Sequence, residues 1–353
     1  MSAIFGEKLK ITLFGQSHSP AIGVVIDGFP SGFKVDINKV QAFVDRRAPG
    51  GEFATKRAEK DKVEFVSGLN ARGETCGAPI CALIFNNDVR SSDYENICLL
   101  PRPSHCDYSA FVKYGESRDV RGGGQFSGRI TAGLVIAGAL CMLYLNEKGI
   151  KVGAHLSSIG SICDDKYDLV NQIIEQNQLD FPVVSSQTAE EMKQEIERVR
   201  NSLDSIGATI ECKVVGVPAG LGEPPFDGVE NKLAQIMFSI PGVKGFEFGN
   251  GFSASTLCGS QNNDAFTVFN DKIVTKTNNA GGVNGGITNG MPLIFKVAIK
   301  PTPSIAKPQN SVNINTLKEE TLEIKGRHDP CIGVRAVPVV EACTAIVLMD
   351  MII

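Results

Sequence analysis

The ten cysteines form no C-x-x-C pair, which argues against a zinc knuckle or a thioredoxin-type motif. Nor is there an excess of positive charge. The formal net charge is -4, so the whole molecule is no electrostatic partner for nucleic acid. Met1–Phe14 lacks the charged start, long apolar region and small-residue cleavage site of a secretion signal. The longest apolar stretch, Ile130–Leu145, is shorter than the ~20 residues of a spanning helix and is rich in Gly and Ala. It reads as a buried helix, with no membrane partner. Histidine is scarce, with only His18, His105, His155 and His328.

What is present suits a globular enzyme. The 353 residues are 42% apolar and 21% charged, enough for one large core or two ordinary ones. Most cysteines sit inside apolar runs, such as Cys81 and Cys141, and read as reduced core residues in a cytoplasmic protein. β-branched runs with turn-forming flanks predict strands at Lys10–Phe14, Ala21–Ile26, Ile80–Phe85, Thr209–Val217, Leu293–Ile299 and Ala345–Met349. Three amphipathic helices are readable. One is capped by Asp36 and carries Val40, Phe43 and Val44. Another starts at a capping box of Thr188 and Glu191, with Gly207 as its stop. The last carries Leu233, Ile236, Met237 and Ile240.

Two segments recur in the same order. Phe29-Pro30-Ser31-Gly32 and Val217-Pro218-Ala219-Gly220 each precede a helix. Thr75-Cys76-Gly77-Ala78-Pro79-Ile80 is matched by Thr288-Asn289-Gly290-Met291-Pro292-Leu293. This suggests two related α+β halves sharing one core, so residues 1–353 read as a single domain.

The chemistry gathers in Gly- and Pro-rich loops. His18 follows Gly15 in a turn between two strands, His105 lies beside Arg102 and Pro103, and His328 lies between Arg327 and Asp329. Histidine is the ordinary proton-transfer group near neutral pH. His155 reads as structural. Arg46, Arg47, Arg102, Arg118, Arg121, Arg129 and Arg327 sit in or beside tight loops, and their planar forks match carboxylate and phosphate oxygens. They point to a small, strongly anionic substrate, although Arg118 could simply pair with Asp119. The run Arg121–Arg129 contains three consecutive glycines and enters the apolar helix, an arrangement that favours anions. No Gly-Lys-Ser/Thr follows it, so it is not a P-loop, and no βαβ unit makes it a dinucleotide fingerprint. Lys300, Thr302 and Ser304 could hold a phosphate.

Taken together these segments resemble the chorismate synthase family, from Lys10 to about Asp350. The resemblance rests on Gly15-Gln16-Ser17-His18, Asp45-Arg46-Arg47, Arg102-Pro103-Ser104-His105, Arg121–Arg129, Gly216–Pro224, Asn279–Gly286 and Arg327-His328-Asp329-Pro330, in the family's order. It implies an α+β fold, a β-α-β sandwich with antiparallel sheets around helices, assembled as a homotetramer. It implies conversion of 5-enolpyruvylshikimate 3-phosphate to chorismate by anti-1,4-elimination of phosphate, with reduced FMN required and not covalently bound. Some relatives in the family reduce their own flavin, a link to NADP, whereas the compact length fits a monofunctional form served by an external flavin reductase.

By the same resemblance, His18, His105 and Asp329 are the catalytic residues. His18 protonates the reduced flavin, His105 stabilises charge near the departing phosphate, and Asp329 assists proton removal. Ser17, Arg47, Arg102, Ser127, Arg129 and Arg327 bind substrate. Gln125, Phe126, Ser127, Pro241, Gly242, Gly285, Lys300, Pro301, Thr302, Pro303, Ser304 and Arg327 border the flavin, and no metal is expected. Gln16 stands where the family usually has Glu and Ser19 where it has Gly. Ala48, Phe53 and Gln125 stand where it often has Arg. A flavin oxidoreductase and a binding protein without turnover are the competing readings.

Overall fold

The computed structural model describes residues 3–48, 61–86, 98–164, 180–324 and 329–353. Strands β1 (Ile4–Phe5), β2 (Lys10–Phe14), β3 (Ala21–Asp27), β4 (Glu64–Ser67) and β5 (Ile80–Phe85) form one antiparallel sheet in the order β1-β2-β3-β5-β4. A second antiparallel sheet is built from β6 (Lys151–Ile159), β7 (Ile162–Cys163), β8 (Ala208–Val215), β9 (Val243–Phe248) and the later strand Leu293–Ile299. That last strand lies between β8 and β9, and β7 flanks β6 at the edge. The sheets enclose helices α1 (Ile37–Arg47), α3 (Thr131–Glu147) and a C-terminal helix, Gly333–Ile352. A short helix α2 (Asp107–Tyr114) precedes α3, α4 (Ser186–Asn201) packs on β6 and β7, and α5 (Val229–Met237) packs on β9 and the C-terminal helix.

The implied sandwich of two sheets around helices is therefore what the chain forms. Apolar side chains from both sheets and the enclosed helices make one continuous core. Gly128–Glu147, which is α3 with the turn before it, is long and apolar enough to cross a membrane, yet α3 lies buried between the sheets. It crosses the C-terminal helix closely at Gly138. A Cβ there would come within 2.7 Å of Ala342 O and nearer still to the Ala342 Cα and Cβ. Glu341, fully buried in the C-terminal helix, accepts hydrogen bonds from Arg46 at 2.6 Å and from the Ala154 N–H at 2.9 Å. This ties α1 to the second sheet.

Several expectations hold and several shift. Asp36 caps α1, accepting from Lys39 N at 3.2 Å, and Val40 and Val44 are buried. The helix predicted from Thr188 starts earlier, because Ser185 is its cap and accepts from Thr188 N at 3.3 Å. It ends at Asn201, where Ser202 and the left-handed Leu203 stop it before Gly207 is reached. Ala345–Met349 is not a strand but part of the C-terminal helix. Every residue there is buried, and a helix wrapped on all sides by core shows no amphipathic period. Arg118 does not pair with Asp119. It donates to Gly115 O and Cys98 O, while Arg121 takes Asp119 at 2.8 and 2.9 Å.

Candidate functional site

The glycine turn organises one side of the site. Gly122, Gly123 and Gly124 all have positive φ, which only residues without a Cβ adopt readily. A Cβ on Gly122 would come within 2.6 Å of Ser17 Oγ and closer to the His18 ring. A Cβ on Gly123 would sit 3.5 Å from His105 Nε2 and 3.8 Å from Arg102 Nη2. Ser17 N donates to Gly124 O at 3.0 Å, so the turn after β2 is stitched to the glycine turn. Ser19, where the family has Gly, accepts from Gln16 N at 2.8 Å and donates to Ala21 O at 2.6 Å, closing its own turn. The two predicted histidines thus flank one turn, and both are largely buried.

His105 belongs to a tight ionic group. Its Nδ1 lies 2.6 Å from Asp107 Oδ1. Arg102 donates to the same carboxylate from its backbone N, Nε and Nη2 at 3.0, 2.7 and 2.8 Å, and from Nη1 to Ser304 Oγ at 3.1 Å. Burial disfavours the charged Asp107, but hydrogen bonds from Arg102 and His105 and their charges outweigh it. The carboxyl is held well below the usual range. Burial pushes the neighbouring Cys106 thiol up to about 11, aided by Asp107, so it stays protonated.

A second ionic group lies on the far side of Gly128. Arg47 at the end of α1 donates to Thr131 Oγ1 at 3.1 Å, Gly128 O at 3.0 Å and Asp61 Oδ2 at 3.1 Å. Asp61 is fully buried and also pairs with Arg129, whose Nε donates to Asn86 Oδ1 at 3.1 Å. Arg335 donates to Arg47 O at 3.0 Å and to Asp329 Oδ2 at 2.6 Å. Burial and the nearby Arg335 and Arg129 push the Arg47 guanidinium down to about 9, against Asp61 and Asp329. It stays charged at neutral pH, and an incoming anion would relieve the crowding of cations.

Beside Arg102 and His105 opens a cleft of about 650 Å³, within the size range of small-molecule sites, with Gly128 on its wall; Ser17, His18, Arg47, Arg129 and Asp329 do not line it. Of the residues expected at a flavin, Gln125, Phe126, Ser127, Pro241, Gly242 and all of Lys300 to Ser304 line it, with Arg102 and His105. Gly285 does not. It sits in the turn of the hairpin Val283–Thr288, away from the cleft-lining residues. Arg327, His328 and Phe53 lie outside the described residues. Lys244 and Phe238 line the cleft and were not anticipated, nor were Asp61, Asn86, Asp107 and Arg335 in the ionic groups. A clue to Asp107 was present, two residues after His105. Asp61 and Arg335 carry no local signal, because their partners are distant in sequence.

The cleft suits a planar, phosphorylated group. Thr302 Oγ1 is buried and has no hydrogen-bond partner among the described residues, as if a ligand atom were meant to supply one. Burial and the like charge of Lys244 press the Lys300 amine down, so two ammonium groups face one space. A phosphate placed there would answer both. Phe126, Phe238, Ile240 and Pro241 offer apolar surface for a ring.

A family model described as chorismate synthase matches residues 9–353. A chorismate synthase of Dehalococcoides mccartyi is 46% identical, covering 99% of this chain and 96% of that protein. One of Thermococcus gammatolerans is 45% identical over 98% of this chain and 96% of its own length. A solved chorismate synthase crystal structure superposes with a TM-score of 0.76 at 27% identity, covering 98% of this chain and 92% of that one. Sequence, fold and relatives agree along the whole length, and the chain belongs to the chorismate synthase family.

Proposed function

We propose that the cleft bounded by the glycine turn, Arg102, His105 and Lys300–Ser304, with the Arg47–Asp61–Arg129 group reaching it through Gly128, is where this chain carries out the family reaction. That reaction converts 5-enolpyruvylshikimate 3-phosphate to chorismate, with loss of phosphate and a C6 hydrogen. It is a lyase step of the shikimate pathway toward aromatic amino acids. The observation carrying the assignment is the convergence of His18, His105, Arg102 and Ser127 on one Gly-rich turn beside the Arg47–Asp61–Arg129 cluster.

The substrate carries two carboxylates and a phosphate. Arg47, Arg102 and Arg129, with Arg327 and Ser17, bind these anions, and their carboxylate partners hold the guanidinium forks in fixed planes. His105, its Nε2 turned toward Gly123, stabilises charge on the departing phosphate oxygen. His18 handles a proton beside Gly122, and Asp329, anchored by Arg335, serves as the carboxylate of the proton path. Lys300, Thr302, Ser304, Gln125, Phe126, Ser127, Pro241 and Gly242 would hold non-covalent FMN, with Gly285 and Arg327 assigned to it by resemblance. Reduced FMN, when bound, supplies electron density that assists phosphate departure, with no net redox change.

The reading extends to the whole protein. Residues 1–353 act as one domain, supported by the shared core. A homotetramer is supported by the exposed apolar hairpin carrying Phe266, Val268, Phe269 and Ile273. A reducing cytoplasm completes it, supported by ten cysteines that form no disulfide, with an external flavin reductase carried over from the resemblance. The test is anaerobic phosphate release from 5-enolpyruvylshikimate 3-phosphate with reduced FMN. His18→Ala, His105→Ala and Asp329→Asn should each lower kcat by roughly 10²–10⁴. Near-normal kcat in all three folded variants would overturn the assignment.

A further inference from the structure

Asp107 holds the Arg102 fork, yet it also faces the His105 ring, and it is the most heavily bonded carboxylate near the cleft. It accepts three hydrogen bonds from Arg102 and faces His105 Nδ1 at 2.6 Å. Arg102 Nη2 also lies 3.1 Å from Nδ1. One ring nitrogen cannot both accept from a guanidinium and donate to a carboxylate in the same plane. The contact to Asp107 is the shorter, and it is of the charge-assisted kind. Arg102 Nη2 already has Asp107 Oδ1 as its acceptor at 2.8 Å. The proton therefore sits on Nδ1, and Nε2 is the nitrogen beside Gly123.

We propose that Asp107 is the positioning residue for His105: it fixes the Nδ1-protonated tautomer, aims Nε2 into the cleft, and stabilises the imidazolium that faces the departing phosphate. Arg102 plays the third part. By filling the other lone pairs of Asp107, it prevents the carboxylate from rotating away from the ring. The placement has a local cause. Asp107 is the first residue of α2, two residues after His105, and the left-handed Ser104 turns the chain so that both side chains meet. The arrangement is that of an acid–imidazole pair, in which the carboxylate orients the ring and does not itself become protonated.

The inference rests on the proposed role of His105, and the experiment separates the two. Asp107→Asn keeps the shape but offers one oxygen and an NH2. With Arg102 holding the oxygen, the NH2 turns to His105 Nδ1 and moves the ring proton to Nε2. Nitrogen-15 NMR of the histidine rings, with His105→Ala assigning the signal, should show Nδ1–H in the native protein and Nε2–H in the Asn variant. Turnover should fall by roughly 10²–10⁴ in kcat, with a smaller change in KM. Asp107→Glu keeps the charge and should recover part of the loss while retaining Nδ1–H, which also serves if the Asn chain does not fold. An unchanged tautomer with kcat within about twofold in the Asn variant overturns the proposal, as does a Glu variant without Nδ1–H. A His105→Ala variant with native kcat would instead remove the reading of the site on which the proposal stands.

Discussion

The two halves of the chain share a frame and differ in their loops. In the first half, β2 and β3 are followed by α1, β4, β5 and α3, with sheet order β2-β3-β5-β4. In the second, β6 and β8 are followed by α5, β9, strand Leu293–Ile299 and the C-terminal helix, in the equivalent sheet order. The same clamp fastens each. Thr75 Oγ1 accepts from Phe33 N at 2.9 Å and donates to Pro30 O at 2.6 Å. Thr288 Oγ1 accepts from Leu221 N at 2.9 Å and donates to Pro218 O at 2.7 Å. Gly32 and Gly220 then donate to the carbonyls of the two threonines.

Equivalent connections nonetheless do different work. The link from β5 to α3 carries Arg102, His105 and the glycine turn, whereas its counterpart before the C-terminal helix carries Lys300–Ser304 and Asp329. The tight turn from β2 to β3 presents His18, while the longer route from β6 to β8 contains α4, which covers the sheet. The proposed division gives the first half most of the proton and anion chemistry and the second half the flavin edge. A duplicated frame constrained by clamps and core tolerates loops that diverge.

The sharpest way to break this comparison is in the first-half loop. Gly122→Ala places a Cβ against His18 and demands a positive φ of alanine. We expect kcat to fall by about 10²-fold or more, with thermal melting lowered by the strain of the left-handed alanine but the chain still folded. A native kcat would show that His18 does not depend on the glycine turn.

The frame is tested by Thr75→Val and Thr288→Val. Each leaves a backbone N–H and a carbonyl without their hydroxyl partner in a buried position. Each should cost about 1–3 kcal/mol in denaturant unfolding, with kcat retained. The double variant should add to within about 0.5 kcal/mol, since the sites share no partner. A silent variant at either site would mean that the repeat there is ornamental.

The smallest effect belongs to the second half. His155 is buried between Asp164 and Glu211, at 3.1 and 3.5 Å. Burial works against its charge, but the hydrogen bonds it donates to both carboxylates win and raise its pKa above that of an ordinary histidine. Its stabilising contribution is therefore complete below pH 6.5 and is lost as pH rises through the raised value. The stability gap between the native protein and His155→Gln should narrow as the pH rises from 6 to 9. Equal gaps at both pH values, measured by thermal unfolding, would remove the ionic role. Turnover should hardly change.

How much of this was legible varies by residue. The α1 helix could be read from Asp36 and the spacing of Val40 and Val44, because capping and amphipathic burial are local. Five of the six expected strands are present, with ends moved by one or two residues in Ala21–Asp27 and Ala208–Val215. The sixth, Ala345–Met349, failed because total burial erases the period. The Pro-Gly and Thr repeats pointed to the duplication before any pairing was known.

The sequence by itself determined the family, the amphipathic helices and the apolar helix α3, the repeat and the residue types of the site. Those depend on short-range spacing and on motifs that survive without coordinates. Only the tertiary structure decided the partners. Asp61 bridges Arg47 and Arg129, Arg335 holds Asp329, and Lys244 faces the cleft with Lys300. Which charge meets which depends on where distant loops converge in a core that excludes water. In that setting a carboxylate goes to the nearest guanidinium in space, whatever separates them along the chain.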